Sequence, residues 1–338
     1  MTTIYRRSLL AATALGLAIG LLAPGATPAV AQEKVTLRLG HDQVTGHTYQ
    51  RTTLQFAKRI AEETNNEVTI RVMPGAQLGT ETGMLDGLKS GNINLSVSTT
   101  ANASSFIKKY GILSVSYLFT DEKHFARVLN DPQFLKMFDD MTAEAKPGFR
   151  RAGLITPGAR HYYSNKGPVA SIDDLKQIKM RVMASPVESK VWSALGTSPL
   201  AIPFGELYTG MQTGLVQAAE NSPGSYGLNK HYEVASYFSL TGHQWPISGI
   251  FISDITWNKL SDKHKAAFTK VAGEISAFAV KDAVESDAQV LADMQTKNGV
   301  KVNKVDTAPF VAKLSALQDE VAKDLGTTEM LARIRALK

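Results

Sequence analysis

The order of strand and helix patterns is the feature of this sequence that most limits its fold. VTLRLGH from Val35 alternates apolar and polar residues, a helical pattern follows over 47–64, and VTIRV (68–72) is a second strand. A further helix pattern ends at Gly91, and INLSVS (93–98) is a third strand. Because strands that alternate with helices pair in parallel, this order predicts a mainly parallel α/β sheet.

A second α/β half follows the first. Its predicted strands are FRRAGLI (149–155), KMRVM (179–183) and VQAAE (216–220). Between the last two lies a helix that Ser185 caps, with Pro186 at the first helical position and Glu188 completing a capping box. Gly196 ends this helix, and another begins near Phe204. Two domains are also expected because 338 residues exceed one typical core.

One stretch is out of proportion to either half. Residues 261–297 contain no proline and one glycine, Gly273. A continuous helix of this length would be about 55 Å long at about 1.5 Å per residue, which exceeds the width of one small domain. The sequence leaves two alternatives: the helix breaks at Gly273, or it runs across both halves as a spine.

The first residues have the pattern of an export signal. Arg6 and Arg7 precede an apolar run over 9–23. Small residues at 29–31 predict cleavage after Ala31 and export to the periplasm. An uncleaved anchor is the alternative, although the apolar run is short for a membrane span.

Composition excludes several kinds of site. Cysteine is absent, so disulfides, thiolate metal sites, a cysteine nucleophile and lipid attachment through an N-terminal cysteine are excluded. The formal net charge is +6 without a basic run, so nucleic-acid binding is not expected. The histidines show no metal-ligand pairing on one helix, and we expect neither a metal nor another cofactor.

Arg181 lies in the middle of an apolar strand pattern, IKMRVMASP, directly before the helix capped at Ser185. Sheets of this class bind ligands beyond the carboxyl ends of their strands, where helix N-termini and guanidinium groups both favour anions. Arg160 lies just beyond another strand of the same half. The two arginines therefore predict a carboxylate clamp. The alternative is solvated surface charge, with Arg160 paired to Asp173 or Asp174.

Four segments resemble, in order and spacing, the solute-binding proteins of tripartite ATP-independent periplasmic (TRAP) transporters. They are AQLGTETGMLDGLKSGNINL, PGARHYYSNKGP, IDDLKQIKMRVMASP and IPFGELYTGMQTGLVQAAEN. The resemblance implies a two-lobed α/β periplasmic binding protein with a hinge, cross-over segments and a long helix spanning both lobes. The divisions it implies are a signal peptide at 1–31, lobe I at 32–157 plus 247–286, and lobe II at 158–246 plus 287–338.

The resemblance also implies a function. Proteins of this family capture an organic acid, close on it and deliver it to membrane permease subunits for uptake driven by an ion gradient. A small-molecule carboxylate and the permease are thus the expected partners, and the protein is expected to work as a monomer without a cofactor.

The family pattern suggests roles for particular residues. Arg181 stands at the position of the carboxylate-binding arginine, Arg160 at that of a second arginine, and Asn221 at that of an asparagine that hydrogen-bonds the carboxylate. Phe204 matches an aromatic wall residue, and Glu81 an acid that contacts ligand hydroxyl groups or orders the opposite lobe.

Further candidates have weaker support. Glu220 precedes the family's asparagine, and His41, His243, Gln244 and Trp245 are candidate pocket residues. The histidines, glutamine and tryptophan could instead pack or make structural hydrogen bonds. Glu81 and Glu220 could instead be helix-end or inter-strand residues.

The ligand class stays open within the organic acids. The segment from AENSP resembles a branch of the family that binds sugar acids such as uronates. That branch carries an acidic residue after the proline equivalent to Pro246, whereas this chain has Ile247 and Ser248. A sugar acid, a C4-dicarboxylate, a 2-oxo or hydroxy acid and an aromatic acid are all possible ligands.

A periplasmic enzyme acting on an organic acid is the alternative from another class, with Glu81 and Glu220 as an acid/base pair or a histidine as base. The sequence contains neither G-x-S-x-G nor H-E-x-x-H. Ser105 and Lys108 fit S-x-x-K, but the motifs that accompany it are missing. We therefore expect a binding protein and not an enzyme.

Overall fold

The computed structural model describes residues 34–338. The predicted export signal and its cleavage site lie outside these residues. Within them, no helix combines the length and the apolar character that crossing a membrane requires.

The described chain alternates strands and helices. The strands are β1 (Val35–Gly40), β2 (Val68–Met73), β3 (Leu95–Thr99), β4 (Phe149–Ile155), β5 (Arg160–Ser164), β6 (Lys179–Val182), β7 (Ser198–Ala201), β8 (Ala218–Asn221), β9 (Tyr237–Gln244), β10 (Ser248–Ser253) and β11 (Lys301–Lys304). The α-helices are α1 (Thr48–Glu63), α2 (Glu81–Ser90), α3 (Thr100–Ala103), α4 (Glu122–Leu129), α5 (Pro132–Ala145), α6 (Pro186–Ala194), α7 (Leu207–Gln212), α8 (Pro223–Leu228), α9 (Asp254–Lys259), α10 (Asp262–Lys297), α11 (Ala308–Leu325) and α12 (Thr328–Ala336).

The strands form two sheets. The first has the order β2-β1-β3-β10-β4 and the second the order β11-β9-β5-β8-β6-β7. As predicted, β1 is parallel to β2 and β3. However, β10 is antiparallel to β3 and β4, and β5 is antiparallel to β8 and β9, so the sheets are mixed. The prediction fails here because each antiparallel pair joins strands that have other strands between them in the chain, whereas the alternation of strands and helices bears on consecutive strands.

Local signals in the sequence correspond to the observed helix ends. Gly91 ends α2 at a φ of 79°, in the left-handed region that glycine adopts without a steric penalty. Ser185 caps α6 by accepting a hydrogen bond from the N–H of Glu188. The predicted capping box is wrong, because the Glu188 carboxylate turns into the interior and accepts from Gln244 Nε2 at 2.9 Å.

Helix α10 is continuous for 36 residues, so the alternative of a break at Gly273 is wrong. Its N-terminal part packs with α1 and β4 of the first lobe, where Phe268 and Ile275 are buried. Its C-terminal part packs on α8 of the second lobe, where Met294 is buried. The helix therefore spans both lobes, as the resemblance implies.

Two apolar clusters form the cores of the two lobes, and a third contains residues of both lobes. One cluster lies between the first sheet and helices α1 and α10, and another lies on the second sheet around Tyr226 and Phe238. A third cluster combines Phe251 of the first sheet with Tyr162 and Trp192 of the second lobe. Helices α11 and α12 contact α6 and α5 respectively, so the C-terminal segment touches both lobes. The residue boundaries of the lobes stay a prediction.

Candidate functional site

A crevice between the two sheets lies at the carboxyl ends of β1, β3, β6 and β8. It contains two adjoining cavities, whose empty space together with the open solvent at their mouths is about 300 Å³ and 630 Å³. The residues that line both cavities are Asp42, Glu81, Asn102, Arg181 and Phe204. Arg160 and Asn221 line the smaller one. We call this space the arginine cleft.

Arg181 is buried on the second lobe's wall of the cleft, with 2% of its surface exposed. Its Nε donates to the carbonyl oxygen of Ile202 at 3.0 Å, and it forms no salt bridge within residues 34–338. Burial lowers the pKa of Arg181, and the charge of Glu220 opposes that shift only in part. The guanidinium carbon lies 6.0 Å from the ring centroid of Phe204. Arg181 therefore offers the cleft a positive charge that no salt bridge neutralises within the described part of the chain.

Arg160 is neutralised by the protein. Its Nη2 donates to Glu220 Oε1 at 2.6 Å and to the Glu220 carbonyl oxygen at 2.7 Å, and its Nε donates to the other carboxylate oxygen. Its Nη1 donates to Asn221 Oδ1 at 2.9 Å. The alternative pairing with Asp173 or Asp174 is wrong, because these acids bond within the helical turn that precedes β6.

The ion pair between Arg160 and Glu220 affects the pKa values of both partners and of the nearby Glu188. Burial acts to raise the pKa of Glu220, but the Arg160 guanidinium outweighs it and lowers that pKa to about 2. Burial likewise acts to lower the pKa of Arg160, and Glu220 raises it above the ordinary value. Nearby, burial and then the charge of Glu220 raise the pKa of Glu188 to about 8. Glu220 is therefore ionised at neutral pH, whereas Glu188 is mostly protonated.

The opposite wall, from the first lobe, is acidic. Glu81 is the first residue of α2, and its Oε2 accepts hydrogen bonds of 2.6–3.0 Å from Ser98, Thr99 and Asn102. Asp42 follows β1 directly after the buried His41 and is half-buried. Burial and then the charge of Glu81 raise the pKa of Asp42 to about 7. Oxygen atoms on this wall can accept hydrogen bonds from hydroxyl groups of a ligand.

The model of one protein family matches residues 39–324, and its description is bacterial extracellular solute-binding protein, family 7, DctP. The chain belongs to this family. The recognition made from the four sequence segments is thereby confirmed, and the two-lobed fold matches solved TRAP solute-binding proteins. The DctP family consists of solute-binding proteins, and the arginine cleft is the candidate place for the solute.

Three relatives illustrate the similarity. Protein y4mM of Sinorhizobium fredii is 31% identical over 320 residues, which are 93% of this chain and 57% of that protein, so the chain spans little more than half of this relative. A TRAP solute-binding protein of Roseobacter denitrificans, with bound β-D-glucuronate, is 27% identical with a TM-score of 0.82, covering 90% of this chain and 100% of that one. Another, from Bordetella bronchiseptica with density assigned to pantoate, is 27% identical with a TM-score of 0.82, covering 90% and 99%.

The structure brings five predicted residues of this solute-binding protein together in the arginine cleft. They are Arg181, Arg160, Asn221, Glu81 and Phe204. Glu220 is not among the lining residues, because its carboxylate is held by Arg160. An ionised carboxylate in a buried ion pair is poorly suited to exchange protons near neutral pH, which disfavours the acid/base pair considered for an enzyme.

Three other predicted residues lie away from the cleft. His41 is buried, and its Nε2 lies 2.7 Å from Gln50 Oε1. His243 Nδ1 lies 2.8 Å from Thr241 Oγ1, and the ring borders a separate, small and mostly apolar cavity. Trp245 packs at the edge of the apolar cluster that joins the lobes. These side chains serve packing and structural hydrogen bonds, which was their alternative interpretation.

Of the residues that line both parts of the arginine cleft, sequence reasoning missed Asp42 and Asn102. Both lie just beyond the carboxyl ends of strands in the first sheet, after β1 and β3 respectively. The rule that ligands bind outside the carboxyl ends of such strands could have found them.

Proposed function

We propose that this protein captures a hydroxylated monocarboxylate, such as a uronate or another sugar acid, in the arginine cleft. The observation that carries the proposal is the position of Arg181, without an ionic partner in the described residues, opposite a wall that bears Asp42 and Glu81. A ligand with a carboxylate at one end and hydroxyl groups at the other is complementary to these two walls.

The charges of the cleft favour one carboxylate over two. Because Glu220 neutralises Arg160, Arg181 is the available cation among the described lining residues. A C4-dicarboxylate would bring its second carboxylate towards Asp42 and Glu81, where like charges repel. A sugar acid would approach the same wall with hydroxyl groups, which can donate to carboxylate oxygens.

Each lining residue has a distinct part in this proposal. Arg181 takes the ligand carboxylate through parallel N–H donors, and Phe204 packs against the carbon skeleton. Asn221 accepts from Arg160 through Oδ1, which leaves its NH₂ group to donate to the carboxylate. Arg160 uses four N–H bonds on Glu220 and Asn221, so one N–H of Nη1 can join them.

Two relatives support this ligand class. The ligands named for the Roseobacter and Bordetella proteins, glucuronate and pantoate, each carry one carboxylate together with hydroxyl groups. The chain lacks an acid after Pro246, but Asp42 and Glu81 supply acidic acceptors elsewhere in the cleft.

The proposed setting is the periplasm, with the export signal removed after Ala31. The protein would act there as a monomer, close its lobes on the acid and dock on TRAP permease subunits, which take up the acid along an ion gradient. The N-terminal pattern and the extracellular description of the family support this setting.

A binding screen tests the proposal. We expect D-glucuronate, D-galacturonate or pantoate to raise the melting temperature of the purified mature protein, because the ligand binds only the folded state. Calorimetry should give the best of these acids an affinity at least about tenfold higher than that of succinate. D-Glucuronamide is the matched control, since it keeps the hydroxyl groups and lacks the charge. Equal or tighter binding of succinate, or chemical turnover of the acid, would contradict the proposal.

A further inference from the structure

Asn102 lines the cleft but has no part in the ligand contacts proposed above. It lies in the short helix α3 directly after β3, and its backbone N–H donates to Thr99 Oγ1 at 3.3 Å. Thr99 in turn donates from both its N–H and its hydroxyl to Glu81, each at 2.9 Å. Asn102 is therefore anchored to the first lobe by the same residue that holds the acid of that wall.

The side chain of Asn102 connects the two walls. Its Nδ2 donates to Glu81 Oε2 at 2.6 Å, and its Oδ1 accepts from the backbone N–H of Ala184 at 2.8 Å. Ala184 lies in the segment between β6 and α6, shortly after Arg181, and so belongs to the opposite wall. One amide thus bridges the acid of one lobe to the arginine-bearing segment of the other.

The two bonds permit one orientation of the amide. A flipped amide would place its oxygen against the Glu81 carboxylate and its NH₂ group against the N–H of Ala184, and both contacts would be repulsive. Within residues 34–338, Glu81 Oε2 is the carboxylate oxygen that receives the hydrogen bonds, and Oε1 receives none. The bridge therefore holds Glu81 by one oxygen and leaves the other for a ligand.

We propose that Asn102 is a latch and a positioning residue for capture of the acid. When the lobes close, with or without an acid between them, the N–H of Ala184 orients the Asn102 amide, and the amide fixes Glu81. When they open, the bond from Ala184 is lost, because Ala184 moves away with the second lobe, and the Asn102 amide can then turn away from Glu81. Closure therefore fixes the last of the hydrogen bonds that position Glu81. The ligand in this inference is the acid of the proposed function.

Hydrogen exchange tests the latch without a ligand. Ala184 is an exposed residue whose backbone N–H donates to Asn102 Oδ1. We expect this N–H to exchange about three- to tenfold faster in Asn102→Ala than in the wild type, the effect of one ordinary hydrogen bond. Amides inside α6 should exchange at unchanged rates. Equal rates at Ala184 would overturn the latch, whether or not the protein binds any acid.

Binding kinetics with D-glucuronate as the probe test the positioning role. We expect Asn102→Ala to dissociate roughly tenfold faster with little change in association, because the bridge forms after encounter. Asn130→Ala is the matched control, since the Asn130 amide donates to the Ala126 carbonyl, and the residue is not among those lining the cleft. An unchanged dissociation rate in Asn102→Ala would overturn the positioning role.

A second variant separates positioning from general stability. Asn102→Asp keeps an acceptor for Ala184 but sets a carboxylate against Glu81. The other charged groups lining the cleft are Asp42, Arg160, Arg181 and Glu206. We expect glucuronate binding, relative to the wild type at each pH, to be weakest near about pH 8 and to recover near about pH 5, because protonation of the introduced carboxyl group restores a donor towards Glu81. Loss of glucuronate binding in Asn102→Asp without recovery at low pH would contradict the positioning role of Asn102.

A wild type that binds no acid of the panel, while exchange at Ala184 behaves as expected, would contradict the proposed function and leave the latch standing.

Discussion

The two arginines of the cleft have the same chemistry and similar burial but different electrostatic surroundings. Arg160 on β5 lies against the carboxylate of Glu220 and the amide of Asn221, whereas Arg181 on β6 has one backbone carbonyl as its partner in the described structure. Strand β8, which carries Glu220 and Asn221, lies between β5 and β6. Glu220 on β8 is thus the ionic partner of Arg160 on β5 and not of Arg181 on β6.

The difference separates a structural charge from a functional one. Burial disfavours the charged form of both guanidinium groups, and only Arg160 has a buried carboxylate close enough to compensate. Arg160 therefore contributes to the fold with or without a ligand. Arg181 gains its compensating charge when an organic anion binds, which makes it the better candidate for the anchor.

Replacing the two arginines in turn with methionine should affect the free energy of unfolding differently. Arg160→Met leaves Glu220, which is 0% exposed, without its cation, and we expect the free energy of unfolding to fall by about 3–5 kcal/mol. Arg181→Met removes a buried charge that lacks an ionic partner in the described residues, so the free energy of unfolding should be unchanged or higher. Urea unfolding of both ligand-free variants measures the contrast. Equal losses would remove the distinction between the two arginines.

Ligand affinity should depend most on Arg181. We expect Arg181→Ala to lower the affinity for the best-binding sugar acid by roughly 10- to 100-fold, since a hydrogen bond to a charged group contributes about 1.5–3 kcal/mol. Arg181→Lys is the matched control and should give an intermediate affinity, because it keeps the charge and loses the paired donors. Calorimetry, with circular dichroism to verify folding, provides the test. An unchanged dissociation constant in Arg181→Ala would exclude this residue as the anchor.

A smaller effect is expected from pH, through the wall opposite Arg181. Because the pKa of Asp42 is raised to about 7, this acid gains charge as the pH rises through that value. Ionised Asp42 attracts Arg181 and repels an incoming carboxylate, so affinity should fall, by less than about tenfold per pH unit, since one proton is linked. Titrations from about pH 6 to about pH 8 should show this slope in the wild type and a flatter one in Asp42→Asn. Equally flat profiles would exclude Asp42 from this role.

The features that the sequence predicted correctly depend on local rules. The position of α1, the cap residues Ser185 and Gly91, and the bounds of the long helical stretch at 261–297 all follow from residue types and spacing within one segment. Placing Arg181 at a strand end before a helix N-terminus needed only the strand pattern and the cap. These signals act over a few residues and can be read without knowing the tertiary fold.

The features that it missed depend on which distant segments meet. Glu188 satisfies the sequence rule for a capping box, yet burial beside β9 gives its carboxylate Gln244 as a partner instead. Arg160 has acids nearby in sequence, but β8 pairs directly with β5 and supplies Glu220. Asp42 looks like an ordinary loop residue until the two sheets face each other. Each outcome is a competition between partners that only the tertiary arrangement decides.

Helix α10 has a consequence for the energetics of capture. A single rod of 36 residues packed into both lobes restricts their relative motion to twisting about it or flexing it. The ligand-free protein therefore has few relative orientations of its lobes, and binding of a solute causes only a small loss of conformational entropy. Part of the entropic penalty of enclosing a small molecule is thereby met once, when the chain folds, and is not repeated at every encounter.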